Sequence, residues 1–335
     1  MTQKNRMVLF ILALFINVEV FGVIRILTFH YNQPEFIEMQ YKTLKKFCLD
    51  DFELIVFSDA KTADNEKGIA DTCARYGIQC IRFIQENHLT DPLNGYLKSC
   101  LADPSIISCW GWNESTSLEE IARNPSVRHS HVIQYALNYF GYDHDDIVVI
   151  MDGDNFLIKE LSIRELLGSY DIVGFNQKSD SSGDNRRRFQ MSVPKNQEML
   201  WVVFMAFNPS KLPNPQELQL HVDIIKNHPA FPKNSLNDTG AAIYKYLEKY
   251  PDLNVQAYYW QSSGVFREGF TSKELKKLGF EKPLIRFIKD LSPGNVQFFI
   301  FEHFMHFSAV SAEVAYHDHK VCQLRRFIEA TLREK

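Results

Sequence analysis

The chain has 335 residues, of which 45% are hydrophobic and 23% charged, an ordinary globular balance with material for a sizeable core. A formal net charge of −4 offers no basic face of the kind nucleic-acid binding needs, and the short arginine runs at 186–188 and 325–326 do not change that. The six cysteines (Cys48, Cys73, Cys80, Cys100, Cys109, Cys322) contain no C-x-x-C pair, which argues against a structural zinc site.

Lys4 and Arg6 precede an apolar run at 7–16 that meets Asn17 and Glu19. A basic start followed by such a run reads as a signal peptide or weak anchor over 1–22, placing the protein at a membrane or in the secretory pathway. The run is shorter than the roughly 20 residues of a spanning helix. The alternative is an N-terminal helix packed on the domain of a cytoplasmic protein.

From 23 to about 175, apolar strand-like runs alternate with amphipathic stretches, the pattern of βαβ units and a mainly parallel sheet. Residues 23–29 read as the first strand. The next segment, 34–47, predicts a helix with Pro34 in its first turn and Phe36, Ile37, Gln40, Leu44 and Phe47 at helical spacing. A second strand over 52–57 ends at Ser58 and Asp59, and a third follows over 78–83. The stretch 90–117, with Trp110 and Trp112, reads as a surface excursion; Cys100 and Cys109 within it could pair if the chain is exported, while the other cysteines read as buried thiols. Ser126 is the expected N-cap of a helix that buries Val132, Ala136, Leu137 and Phe140. Residues 147–151 lack polar alternation, as a central strand covered on both faces does. Further strands are expected over 171–175 and 199–207, with a polar stretch at 176–198 between them. Asp238 or Thr239 should cap a helix over about 241–249, and the segment 298–319 is rich in histidine and aromatics. Residues 320–335 predict a closing helix. No composition shift marks a boundary, so 23–319 reads as one α/β domain with two lobes, 23–175 and 176–319.

The chemistry concentrates at Asp152 and Asp154, at the carboxyl end of the central strand. Ligands of open α/β sheets bind beyond strand carboxyl ends. Side chains two apart in extended chain point the same way, so two carboxylates can converge on one cation. Gly153 between them removes bulk, which would let a diphosphate approach the backbone. Oxygen ligands of this kind suit Mg²⁺ or Mn²⁺. An EF-hand loop would need Asp or Asn and then Gly where Phe156 and Leu157 stand. A phosphatase with an aspartyl nucleophile would place a hydroxyl residue at Phe156.

Several segments share a family likeness. Residues 147–160, "IVVIMDGDNFLIKE", resemble the D-x-D segment of GT-A glycosyltransferases. "RILTFHYNQPEFIEMQYKTLKKF" followed by "FELIVFSDA" is similar to their first βαβ unit. "NPSVRHSHVIQYALNYF" resembles the helix before the D-x-D strand, and "FMAFNPSKL" and "NDTGAAIYKYL" resemble the acceptor-side half. The resemblance implies a GT-A fold with a nucleotide-sugar half (23–175) and an acceptor half (176–319). It implies transfer of a sugar from a nucleotide diphosphate sugar to a glycan, lipid or protein acceptor, with Mn²⁺ or Mg²⁺ as cofactor. Thr28 and Asp59 correspond to nucleotide-contacting positions. Arg128 and His129 would meet a phosphate at a helix N-terminus, or else be solvated first-turn residues. Asp154 would bind the metal, and Asp152 the metal or the donor's ribose and sugar. His306 would supply a further metal ligand, with His303 and His317 behind it, unless it is a core histidine. A ligand His306 should lie within a few ångströms of Asp154, with an edge open to the cleft. Asp238 would be the general base of an inverting transfer, a helix N-cap, or both. The arginines at 186–188 would clamp the leaving diphosphate or form a solvated loop. A sugar-phosphate nucleotidylyltransferase would want a Gly-rich, Lys/Arg-bearing loop after the first strand, where Phe29-His30-Tyr31-Asn32-Gln33 stands. A non-catalytic carbohydrate-binding protein that kept the fold is the other alternative.

Overall fold

Apolar runs without polar alternation are satisfied only when both faces of the strand are covered, and the central sheet is built from such runs. The computed structural model describes residues 22–88, 113, 115–176, 200–222, 239–258, 261–262, 270–291, 296–299, 303–307 and 317–333. Seven strands make the central sheet: β1 (Ile24–His30), β2 (Phe52–Ser58), β3 (Gln79–Arg82), β4 (Val148–Asp152), β6 (Ile172–Asn176), β7 (Leu200–Phe207) and β8 (Val255–Tyr258). Their order is β3-β2-β1-β4-β7-β6-β8, parallel throughout except for β7, which is antiparallel to both neighbours. A second, antiparallel sheet joins β5 (Asn155–Leu157), β11 (Phe304–Phe307), β10 (Val296–Phe299) and β9 (Gln261–Ser262) in that spatial order. The α/β class and mainly parallel sheet are as expected.

The helices are α1 (Pro34–Phe47), α2 (Ala63–Tyr76), α3 (Leu118–Ala122), α4 (Pro125–Ala136), α5 (Ile163–Leu167), α6 (Ile243–Lys249), α7 (Ser272–Lys277), α8 (Lys282–Leu291) and α9 (His317–Arg333). Alternate strand residues divide between the sheet's two faces. Leu27, Phe29, Ile55, Phe57, Val148 and Ile150 pack with Val132, Ile133 and Ala136 of α4. Ile24, Ile26, Leu54, Val56, Val149 and Met151 pack with Ile37 and Leu44 of α1 and Ile69 of α2. A third cluster gathers Phe36 of α1, Phe156 of β5, Met305 and Phe307 of β11, and the apolar sides of α7, α8 and α9. Each fully buried Leu, Ile or Phe contributes about 1.5–3 kcal/mol relative to exposure, and Phe156, Leu157 and Phe304 hold the second sheet by such burial.

Most expected elements begin and end within a residue of the observed ones, and α1 spans 34–47 as its spacing predicts. Three differ. The cap of α4 is Asn124, whose side chain accepts from the backbone N–H of Ser126 (3.0 Å) and Val127 (3.2 Å). Pro125 then takes the first helical position, where its missing N–H costs nothing; Ser126 is already inside the helix. Helix α6 starts at Ile243 with no side-chain cap, and the Thr239 hydroxyl donates to the Ser126 carbonyl (3.0 Å) instead. The closing helix begins at His317, so the expected division after 319 falls inside α9. The segment 1–21, Cys100, Cys109, Trp110, Trp112, the arginines at 186–188 and Asp238 lie outside the described residues. Among the described residues no helix is long and apolar enough to cross a membrane.

Candidate functional site

Strands β1 and β4 run side by side, with Phe29 opposite Asp152 at their carboxyl ends. From β1 the chain proceeds to β2 on one side, whereas β4 lies on the other, and such a reversal opens a crevice at the strand ends. There β4 ends at Asp152, Gly153 and Asp154 form the turn, and Asn155 starts β5 in the second sheet. The acidic turn is thus the hinge between the two sheets. The structure adds a second reason for Gly153. A Cβ there would collide with the Phe29 carbonyl oxygen and stand 2.8 Å from the His30 ring. Gly153 also lines the cavity beside Asp152 and Asp154, as the expected approach of a ligand to its backbone requires.

Strand β11 pairs antiparallel with β5, setting His306 opposite Asn155, and the Phe307 N–H donates to the Asp154 carbonyl (2.9 Å). This register carries His306 Nε2 to 3.1 Å from Asp154 Oδ1. One ligand atom each from Asp152, Asp154 and His306 lies within 4.8 Å of the others. Two carboxylates and an imidazole nitrogen form a donor set that fits Mn²⁺ well and Mg²⁺ less well, because Mg²⁺ prefers oxygen. The His306 ring is 4% exposed, so the cleft-facing edge expected of a ligand is missing. The nitrogen instead faces the carboxylates from below, and coordination needs only that line. Burial disfavours a charged His306, but Asp154 and Asp152 outweigh it and hold its pKa above the usual imidazole value. Trp201 of β7 packs edge-on against this ring, centroids 5.4 Å apart. Among the described residues His303 is not part of the cluster, and its pKa is lowered chiefly by burial. His317 opens α9, and its side chain lies outside those described.

His129, on α4, reaches the same turn from the opposite side, its Nε2 3.2 Å from Asp152 Oδ1. Burial opposes its charge, but Asp152, Asp59 and Asp154 together raise its pKa. Its neighbour Arg128 turns outward: Nε lies 3.1 Å from Asp59 Oδ2, and the guanidinium stacks 3.5 Å above the Tyr31 ring. Asp59 is almost buried, and desolvation raises its pKa despite Arg128. The helix N-terminus itself does not offer free donors to a phosphate, because Asn124 occupies them. What Arg128 and His129 present to the crevice is their side chains.

Two cavities meet at Tyr31. One, of about 240 Å³, is lined by His30, Asn32, His129, Asp152 and Asp154 among others. The second, of about 650 Å³, is lined by Asp59, Lys61, Arg82, Gln85 and Arg128 among others. Thr28 reaches neither. It is fully buried and its hydroxyl donates to Gln40 Oε1 (2.9 Å), which corrects its expected nucleotide contact. A strand-end position does not settle which way a side chain points; Thr28 faces α1.

Residue patterns alone assigned no role at the site to His30, Gln40 or Asn155. Gln40 is fully buried and its Nε2 donates to the carbonyls of Asp152 (2.8 Å) and Asn155 (2.9 Å). Asn155 donates to the Val203 carbonyl of β7 (3.1 Å). His30 lies against Gly153, and its pKa falls to about 4 because burial outweighs the Gln40 contact and the charge of Asp154. The signal available beforehand was Gln40 itself, a polar residue in an otherwise apolar helical stripe.

No family model matches the chain, and no curated protein matches its sequence. Similar solved structures include the apo form of the bifunctional glycosyltransferase WbbM, with TM-score 0.43 and 10% identity over 92% of this chain and 53% of that one. Another is galactosyltransferase LgtC in complex with donor and acceptor sugar analogs, with TM-score 0.37 and 13% identity over 93% and 97% of the two chains. A third is the mannosyltransferase PcManGT from Pyrobaculum calidifontis in complex with GDP-Man and Mn²⁺, with TM-score 0.38 and 11% identity over 82% and 63%. The matched part is 65% of a mycobacterial protein and 53% of WbbM, so the chain spans about half to two thirds of the first of these structures.

Proposed function

We propose that the chain is a metal-dependent glycosyltransferase, moving a sugar from a nucleotide diphosphate sugar to a glycan, lipid or protein acceptor. One observation carries this reading: Asp152, Asp154 and His306 converge at the β1/β4 crevice from two different sheets. Asp154 and His306 would hold Mn²⁺, or Mg²⁺, with Asp152 as the third ligand or as a partner of the donor's hydroxyls. The bound cation would neutralise the donor diphosphate and so stabilise the charge that develops as the glycosidic bond breaks. The smaller cavity beside the acidic turn suits the diphosphate and sugar, and the larger one beyond Tyr31 suits the nucleoside. Arg128, fixed over Tyr31 by Asp59, stands where the two join and can face a phosphate. His129 keeps Asp152 oriented and, when protonated, adds positive charge beside the diphosphate. Asp238 remains the proposed general base, and the apolar run at 7–16 the proposed targeting segment or anchor.

Asp154→Asn keeps the side-chain shape but halves the ligand charge. It should abolish both hydrolysis of nucleotide sugars and Mn²⁺-dependent binding of nucleoside diphosphates, with the thermal midpoint nearly unchanged. Screening UDP-, GDP- and dTDP-sugars with Mn²⁺, then titrating Mn²⁺ calorimetrically against UDP and GDP, checks this. Undiminished metal-dependent binding in the variant would remove the basis of the reading.

A further inference from the structure

Metal ligands need their backbones held as well as their side chains, and the acidic turn presents a particular difficulty. It leaves one sheet at Asp152, the last residue of β4, and enters another at Asn155, the first of β5, so both of its ends must be held at once. Gln40 answers both. Its one Nε2 donates to the carbonyl of Asp152 at 2.8 Å and to that of Asn155 at 2.9 Å. Both N–H bonds of the amide are therefore spent on the two ends of the turn, with Asp154 between them.

The other end of the amide is keyed in turn. Oε1 accepts the Thr28 hydroxyl at 2.9 Å, and His30 Nε2 approaches it at 3.4 Å. Because both neighbours of Nε2 are carbonyl oxygens, which can only accept, the orientation of the amide is settled by the network. Gln40, Thr28 and His30 are all within 3% of complete burial, so no water competes for these groups. Gln40 sits on α1 between Phe36 and Ile37 on one side and Thr43 and Leu44 on the other, in a helix locked by two core clusters.

We infer that Gln40 is the positioning residue of this site: it sets the span of the acidic turn, and through it the separation of Asp152 and Asp154. The inference rests on the reading of Asp152, Asp154 and His306 as a metal centre. Groups that orient metal ligands from behind change metal affinity by roughly 10–100-fold when removed. A residue of merely structural value would change stability and leave affinity alone.

The test uses the full chain and Mn²⁺ alone, read by the free-ion electron paramagnetic resonance signal, with the thermal midpoint recorded for every variant. Gln40→Ala removes both donors. Gln40→Glu replaces the donor with oxygen and sets like partial charges against the two carbonyls. Gln40→Asn keeps the amide but retracts it by about 1.5 Å, one carbon–carbon bond, so that a folded variant is available if the first two are unstable. Thr43→Val is the control. It is equally buried on the same helix, its hydroxyl bonds only the Gln40 backbone carbonyl (2.9 Å), and it does not touch the turn. All three Gln40 variants should weaken Mn²⁺ binding roughly 10–100-fold, while Thr43→Val keeps wild-type affinity whatever its midpoint. Wild-type affinity in Gln40→Asn and Gln40→Ala, or an equal loss in Thr43→Val, overturns the inference and leaves the metal centre standing. Absence of Mn²⁺ binding by the wild-type chain overturns the metal centre and the inference with it.

Discussion

At the scale of single residues the site is a competition among charges packed against one glycine. Gly153 shows how little room there is, since any side chain must displace the Phe29 carbonyl or the His30 ring. Gly153→Ala should therefore cost about 1–3 kcal/mol, the usual penalty of overpacking, and should also weaken Mn²⁺ binding, as chemical denaturation and metal titration of the same sample would reveal. If the alanine variant keeps both properties, the close approach is not a constraint. The histidines titrate in opposite senses. His129 and His306 have folded pKa values raised above the ordinary imidazole value. The stability they add to the metal-free protein is fully present below about pH 6.5 and is lost as pH rises through their raised values. His30, lowered to about 4, must be neutral in the fold, so its effect runs the other way: stability is lost as pH falls from about 6.5 toward 4. Metal adds a third dependence, because coordination needs a neutral His306. The rise in thermal midpoint given by Mn²⁺ should be large near pH 8 and nearly absent near pH 5. Melting curves with and without Mn²⁺ across that range would show it; an increment independent of pH would mean that His306 is not a ligand.

Elements account for what could and could not be read from residues. Helix α1 and strands β1, β2 and β4 were legible because each buries a long and mainly apolar pattern, and a pattern that long has few alternative uses. Asp152 and Asp154 were legible for the same reason, as polar residues where such a strand stops. Gln40 was visible but read only as a position in a helical stripe, because nothing local says that two carbonyls will arrive at its amide. Thr28 was misjudged for a related reason: both faces of β1 are buried, so alternation cannot tell which face looks toward ligand. The cap of α4 was misplaced by two residues, Asn124 rather than Ser126, since both are good caps and only the position of Pro125 separates them. The end of α9 shows an interaction that sequence cannot announce. Lys46 of α1 donates to the carbonyls of Thr331 (3.0 Å) and Leu332 (2.7 Å), in the last turn of the helix, where carbonyls lack the usual intrahelical donors. Lys46→Ala should cost about 0.5–1.5 kcal/mol, the worth of such hydrogen bonds, and should raise amide hydrogen exchange in the last turn of α9 while leaving the exchange of β4 unaltered. Equal protection in both would show that the ammonium does not cap the helix.

Over the whole molecule, the chain passes from one sheet to the other at the acidic turn, Phe304 of the smaller sheet packs on Phe175 and Phe204 of the larger, and the third core cluster fastens the smaller sheet to α1 through α7, α8 and α9. Leu324, fully buried on α9, tests that fastening. Leu324→Ala should cost about 2–5 kcal/mol, as other large-to-small core changes do. Mn²⁺ affinity of the folded fraction should stay at the wild-type value, because α9 supplies none of the three groups of the candidate site. Denaturant melts read together with metal titration distinguish the two, and a parallel fall in affinity would mean that α9 itself shapes the site. The pairing of β11 with β5 has a consequence in time as well as in space. His306 is synthesised 152 residues after Asp154 (306 − 154), so a nascent chain can carry every strand of the central sheet before the imidazole of the proposed site exists. Contacts between such distant positions are slow to form because loop closure must come first. The proposed metal site would then be completed only after β11 is made, and a chain interrupted before β11 would carry the acidic pair without the imidazole.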